Sequence, residues 1–70
     1  MSTIAVMYIG KKLKAERTRR FMTQEQFAAL VGLSRDHLGR IERNEHEPHF
    51  STIQKVAERL GLEPSELIDD

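Results

Sequence analysis

Residues 34–49, Ser-Arg-Asp-His-Leu-Gly-Arg-Ile-Glu-Arg-Asn-Glu-His-Glu-Pro-His, gather the side chains best suited to chemistry. Arg35, Arg40 and Arg43 offer planar forks of donors that match acceptor pairs. Asp36 and Glu42 offer carboxylates, and His37, His46 and His49 are all the histidines of the chain. A metal centre is not expected. His46 and His49 lie three apart in a stretch broken by Pro48, without H-E-x-x-H spacing or an obvious third ligand. The chain has no cysteine, so it has no thiol nucleophile, thiolate site or disulfide. No nucleophile–base pair or glycine-rich phosphate loop is present, and 70 residues leave little room for a substrate pocket, so no enzyme, cofactor or small-molecule ligand is expected. Hydrogen bonding by a charged face remains. Taken alone, the three arginines would be an ordinary solvated helix surface.

Positioning that face is the task of the surrounding elements. Strand signals are nearly absent, and proline falls only at Pro48 and Pro64. The pattern predicts an all-α, compact bundle of five short helices in a single domain over residues 1–70. Helix 1 is expected over Val6–Arg20, with Ile9 and Leu13 on one face and the role of Ile4–Ile9 left open. Helix 2 is expected over Gln24–Val31. Thr23 and Gln26 form a capping box there, Phe27, Leu30 and Val31 give the apolar stripe, and Gly32 stops the helix. Helix 3 covers Arg35–Arg43, capped by Ser34, with Leu38 and Ile41 buried and Asn44 as its left-handed end. Helix 4 is expected over Thr52–Leu60, with Ser51 and Gln54 as a second capping box and Gly61 as its stop. Helix 5 covers Pro64–Ile68, with proline at the first position.

Helices 2 and 3 are separated by Gly32-Leu33-Ser34. Two short helices joined by a three-residue turn containing glycine cross at a large angle, which is the helix-turn-helix unit, here residues 24–43. Ala28 is small where the helices approach, and Leu33, Leu38 and Ile41 fill the wedge. Arg35, Asp36, Gly39, Arg40 and Arg43 are left outside.

At these positions the chain resembles the phage repressor/Cro-type, or XRE-type, helix-turn-helix domain, the lambda-repressor-like fold. The matching run is Ile9-Gly10-Lys11-Lys12-Leu13, Arg17, Met22-Thr23-Gln24-Glu25-Gln26-Phe27-Ala28, Val31-Gly32-Leu33-Ser34 and Ile41-Glu42-Arg43-Asn44. It continues through Pro48, Ile53, Val56-Ala57, Leu60-Gly61-Leu62, Pro64 and Leu67, covering nearly the whole chain. The resemblance implies that helix 3 is a recognition helix for the DNA major groove, with Ser34, Arg35, Asp36 and Arg40 at base-reading positions and His37 beside them. Arg35 and Arg40 suit guanine O6/N7. Asp36 suits cytosine N4 or the orientation of Arg40. His37 suits packing or phosphate contact as readily as base reading. Thr23 and Gln24 match the phosphate-facing start of helix 2, and Arg43, Asn44 and His46 match the loop that follows the backbone. Arg17 and Glu42 match a structural ion pair, and Leu62, Leu67 and Ile68 match a dimer surface at residues 60–70. Two positions depart from the family pattern: Asn44 stands where glycine is usual, and Gly39 where a larger polar residue is.

The net charge of zero is a sum over unlike halves. Residues 1–44 hold nine basic and four acidic residues, and residues 45–70 hold two basic and seven acidic ones. A DNA side and a partner side are therefore expected, with the acids offsetting long-range attraction to phosphate. The implied function is sequence-specific, double-stranded-DNA-binding transcriptional regulation by a homodimer on a palindromic operator. The competing reading is a protein-interaction module such as an antitoxin of the same fold, which would have lost the basic face that helix 3 retains here. The longest apolar run, Ile4–Ile9, is too short to span a bilayer and lacks the flanks of a signal peptide. A cytoplasmic protein of prokaryotic or phage origin is expected, without membrane partners.

Overall fold

A computed structural model describes the backbone of residues 3–68 and the side chains of residues 9–68. Among the described residues the regular structure is entirely helical: α1 Thr3–Arg19, α2 Gln24–Val31, α3 Arg35–Glu42, α4 Phe50–Leu60 and α5 Ser65–Ile68. None of these helices is long and apolar enough to cross a membrane.

The apolar spacing sets which faces meet. Ile9 and Leu13 of α1, Phe27, Ala28 and Val31 of α2, Leu38 and Ile41 of α3, Ile53, Val56 and Ala57 of α4 and Leu67 of α5 form one buried core. Met22, Leu33, Leu60, Leu62 and Ile68 pack around it, half covered. Helix α1 lies against α3 and α5, while α2 packs between α3 and α4. Gly10 makes the first of these contacts possible. A β-carbon there would collide with the Ile41 carbonyl oxygen and come within 2.6 Å of Asn44 Oδ1. The backbone of α1 thus crosses directly over the end of α3.

Cap chemistry places several helix ends where the sequence predicts. Thr23 Oγ1 accepts from the Gln26 N–H at 3.1 Å, and Gln26 Oε1 accepts from the Thr23 N–H at 3.0 Å, completing the capping box. Ser34 Oγ accepts from the His37 N–H at 3.0 Å. Lys55 and Arg59 of α4 donate to the Gly32 and Leu30 carbonyls, so two cations sit at the C-terminal end of α2, where the helix dipole favours them.

Four helices close in the same way. The residue after the last turn takes a left-handed backbone, and the N–H beyond it reaches back five residues. The left-handed residues are Phe21, Gly32, Asn44 and Gly61, with φ of 58°, 81°, 61° and 73°. The matching long bonds run from Met22 N to Arg17 O, Leu33 N to Ala28 O, Glu45 N to Arg40 O and Leu62 N to Ala57 O, at 3.2, 2.9, 2.8 and 2.9 Å.

Three helix starts and two helix ends differ from the sequence prediction. Helix α1 begins at Thr3 and stops at Arg19, with Arg20 already in the turn. Helix α3 stops at Glu42, with Arg43 in the cap position. Helix α4 begins at Phe50, and its cap position is His49, which makes no side-chain cap bond. The predicted Ser51–Gln54 box is therefore absent. Pro48 is buried and anchors the incoming loop, and the His49 carbonyl accepts from Thr52 and Ile53 at 3.0 and 3.1 Å. Tertiary anchoring thus starts the helix before Ser51 is reached. Helix α5 starts at Ser65, with Pro64 immediately before it.

Candidate nucleic-acid interface

Three elements meet at Glu42. Arg17 Nε donates to Glu42 Oε2 at 2.9 Å and Arg17 Nη2 to Oε1 at 3.0 Å, a two-pronged pair from α1 to α3. Gln24 Nε2 donates to the same Oε1 at 3.1 Å, bringing in the start of α2. Arg17 Nη1 also donates to the Met22 carbonyl at 3.2 Å. The Glu42 side chain is only 3% exposed, so this network is largely shielded from water. The hydrogen bond to Glu42 holds the Arg17 guanidinium above its ordinary pKa, against the opposing effect of burial. Helix α3 is therefore fixed to both preceding helices at its C-terminal end.

The outer face of α3 is free of that network. Ser34, Arg35, Asp36 and Arg40 are all exposed. Arg40 Nε lies 3.2 Å from Asp36 Oδ2, one helical turn apart, an ion pair on the exposed face. Gln24, Arg35, Asp36, Gly39 and Arg43 line an open depression of about 470 Å³. Gly39 keeps its floor low: a β-carbon there would stand 3.0 Å from Arg43 Nη1, the movable tip of a long side chain.

His37 does not join the exposed set. Its side chain is half-buried, its Nε2 is enclosed without a hydrogen-bond partner among the described residues, and its ring meets that of His46 edge to face at 4.8 Å. Burial pushes its pKa below the ordinary histidine value, and His46, Lys55 and Arg40 push the same way against Asp36. His46 is tied to this pairing and lies beside α3. Asn44 is exposed and holds the left-handed turn that leads away from α3.

Glu45 escaped the sequence reading. Arg43 Nε and Nη2 donate to its two carboxylate oxygens at 3.0 and 3.2 Å. Hydrogen bonding to Arg43 holds the Glu45 carboxyl below its ordinary range. The two-residue spacing carried the only signal for this pair, and such spacing makes sense only once the left-handed turn at Asn44 folds the chain back. At the other end of the molecule, Leu67 is 1% exposed and belongs to the core of the monomer. It seats α5 on α1 and is not presented to a partner, whereas Leu62 and Ile68 remain half covered.

Comparison with known proteins bears on this arrangement. A family model described as helix-turn-helix matches residues 13–67. The chain is 39% identical over 64 residues to the immunity repressor protein of Bacillus phage phi105, covering 91% of this chain and 44% of the repressor. It is 38% identical over 58 residues to YazB of Bacillus subtilis, an uncharacterized HTH-type transcriptional regulator, covering 83% of this chain and 84% of that one. The chain thus spans under half the length of the first and most of the length of the second. The crystal structure of the restriction-modification controller protein C.AhdI from Aeromonas hydrophila superposes with a TM-score of 0.78 at 35% identity, covering 89% of this chain and 90% of that one. Matched in sequence and in backbone over most of its length, the chain belongs to the XRE-type helix-turn-helix family of DNA-binding transcriptional regulators.

Proposed function

We propose that this chain binds double-stranded DNA sequence-specifically, as a homodimer on a palindromic operator, with α3 in the major groove. Its work is recognition, not catalysis. The observation that carries the reading is the contrast across α3. One side is clamped by Glu42 to Arg17 and Gln24, while the other presents Ser34, Arg35, Asp36 and Arg40 to solvent. A rigid helix with a free basic face is what base reading requires. Arg35 and Arg40 read bases, with Asp36 holding Arg40 in place. Thr23, Gln24, Arg43, Asn44 and His46 lie toward the phosphates, and His37 supports the helix from beneath.

A single module offers a small interface, so two copies reading half-sites about 34 Å apart give the needed affinity. Leu62 and Ile68, half covered beside α5, suit the contact between copies. Selection from random duplexes, followed by affinity against salt, tests the proposal. The expected result is an enriched palindrome. Arg35→Ala should relax preference at one base pair, while Arg43→Ala should weaken all sequences alike and flatten the salt slope by about one. No enrichment at low salt, or the same effect from both variants, contradicts the assignment.

A further inference from the structure

Four helices of this molecule end in the same left-handed closure, and its occupants are Phe21, Gly32, Asn44 and Gly61. Glycine and asparagine are the residues such a turn favours. A bulky aromatic residue is an outlier there, because its β-carbon crowds the adjoining carbonyl. The closure at Phe21 is imposed from outside the residue. Met22 N and Phe21 N bond back to Arg17 O and Thr18 O at 3.2 and 3.0 Å, and Arg17 Nη1 holds the Met22 carbonyl.

Packing gives the phenyl ring no compensation, since Phe21 is 95% exposed. Leu30 and Phe50, 36% and 55% exposed, are ordinary by comparison, because each sits in a helix and is partly covered. A fully exposed ring on strained backbone points to a use outside the monomer. Its place says which. Phe21 leads through Met22 into the Thr23 cap and the start of α2, whose Gln24 lines the depression shared with Arg35, Gly39 and Arg43. Of the six basic residues in 11–24, Arg17 pairs with Glu42 and Arg19 and Arg20 share the single acid Glu16, while Lys11, Lys12 and Lys14 pair with no carboxylate among the described residues, so the surroundings keep a net positive charge that attracts a polyanion.

We propose that Phe21 lays its ring against the sugar edges of a DNA strand flanking the recognition site, as a sequence-independent positioning contact. A nucleic-acid backbone alternates charged phosphates with apolar deoxyribose edges, so the basic surroundings and the ring have complementary targets. The inference rests on the DNA-binding reading above.

Phe21→Gly separates strain from contact. Its melting temperature should rise by about 4–8 °C, as a left-handed glycine relaxes the turn. Its affinity for fluorescent duplexes of random sequence at low salt should fall roughly tenfold, with the salt slope unchanged because no cation is lost. Phe21→Tyr keeps the ring and should bind as the parent does. Undiminished binding by Phe21→Gly overturns the inference alone. A changed sedimentation coefficient with undiminished DNA affinity also overturns it, assigning the ring to a second copy of the chain. Failure of the parent itself to bind any duplex overturns both this inference and the DNA-binding reading.

Discussion

Glu42 accepts three hydrogen bonds, two from Arg17 and one from Gln24, in a nearly water-free position. Removing the carboxylate strands a half-buried guanidinium and an amide that lose their acceptor. Glu42→Ala should therefore lower unfolding free energy by about 3–5 kcal/mol in urea titration. Equal stability of variant and parent would remove the brace from the account. His37 makes a pH-dependent contribution of determinable sign. Its folded pKa is depressed below the ordinary value of 6.5. The unfolded chain therefore takes up the proton first, so the contribution is fully present above pH 6.5 and is lost as pH falls through the folded value. His37→Gln should lose this part of the acid sensitivity between neutral pH and mildly acidic pH. A urea midpoint with the same pH profile in both proteins contradicts the burial of His37. The sequence makes Arg17 and Glu42 legible as a pair through family resemblance. It does not reveal that His37 turns inward, because position 37 lies between the outer and inner faces of α3 and the packing of His46 decides its side.

At the scale of the element, local chemistry and tertiary anchoring can be weighed against each other. Thr23 and Ser51 both precede a residue three places on that suits a capping box, and the sequence treats them alike. Only Thr23 caps. Helix α2 begins directly after Thr23, which leaves Thr23 in the cap position, whereas α4 is led in by the buried Pro48 and begins at Phe50, ahead of Ser51. Thr23→Ala should cost about 1 kcal/mol. Ser51→Ala should stay within about 0.5 kcal/mol of the parent. Thermal denaturation of the two variants checks the contrast, and equal losses would restore the cap at Ser51. The closures of α2, α3 and α4 were readable from Gly32, Asn44 and Gly61. That of α1 was not, since nothing about phenylalanine signals a left-handed turn.

For the whole molecule, the division between the core and the proposed contact surface runs through α5. Leu67 is sealed between α5 and α1, while Ile68 is half covered on the neighbouring position. Leu67→Ala should cost about 2–5 kcal/mol of unfolding free energy. On the proposed homodimer, Ile68→Asp should leave the fold in place and shift sedimentation equilibrium toward the monomer. An unfolded Ile68→Asp, or an unchanged dimer, would move the interface elsewhere. The sequence by itself determined the all-helical class, the apolar faces apart from Leu30, which is exposed while Ala28 is buried, the turn at Gly32–Ser34 and the charge division, because these depend on periodicity, backbone propensity and composition within a few residues. The tertiary structure decided what depends on neighbours distant in the chain. It set Gly10 against the end of α3, turned His37 toward His46, moved the start of α4 to Phe50 and drew Leu67 into the core. It also left Phe21 strained and exposed. Each outcome reflects which group a fold brings within reach, and no local preference specifies that.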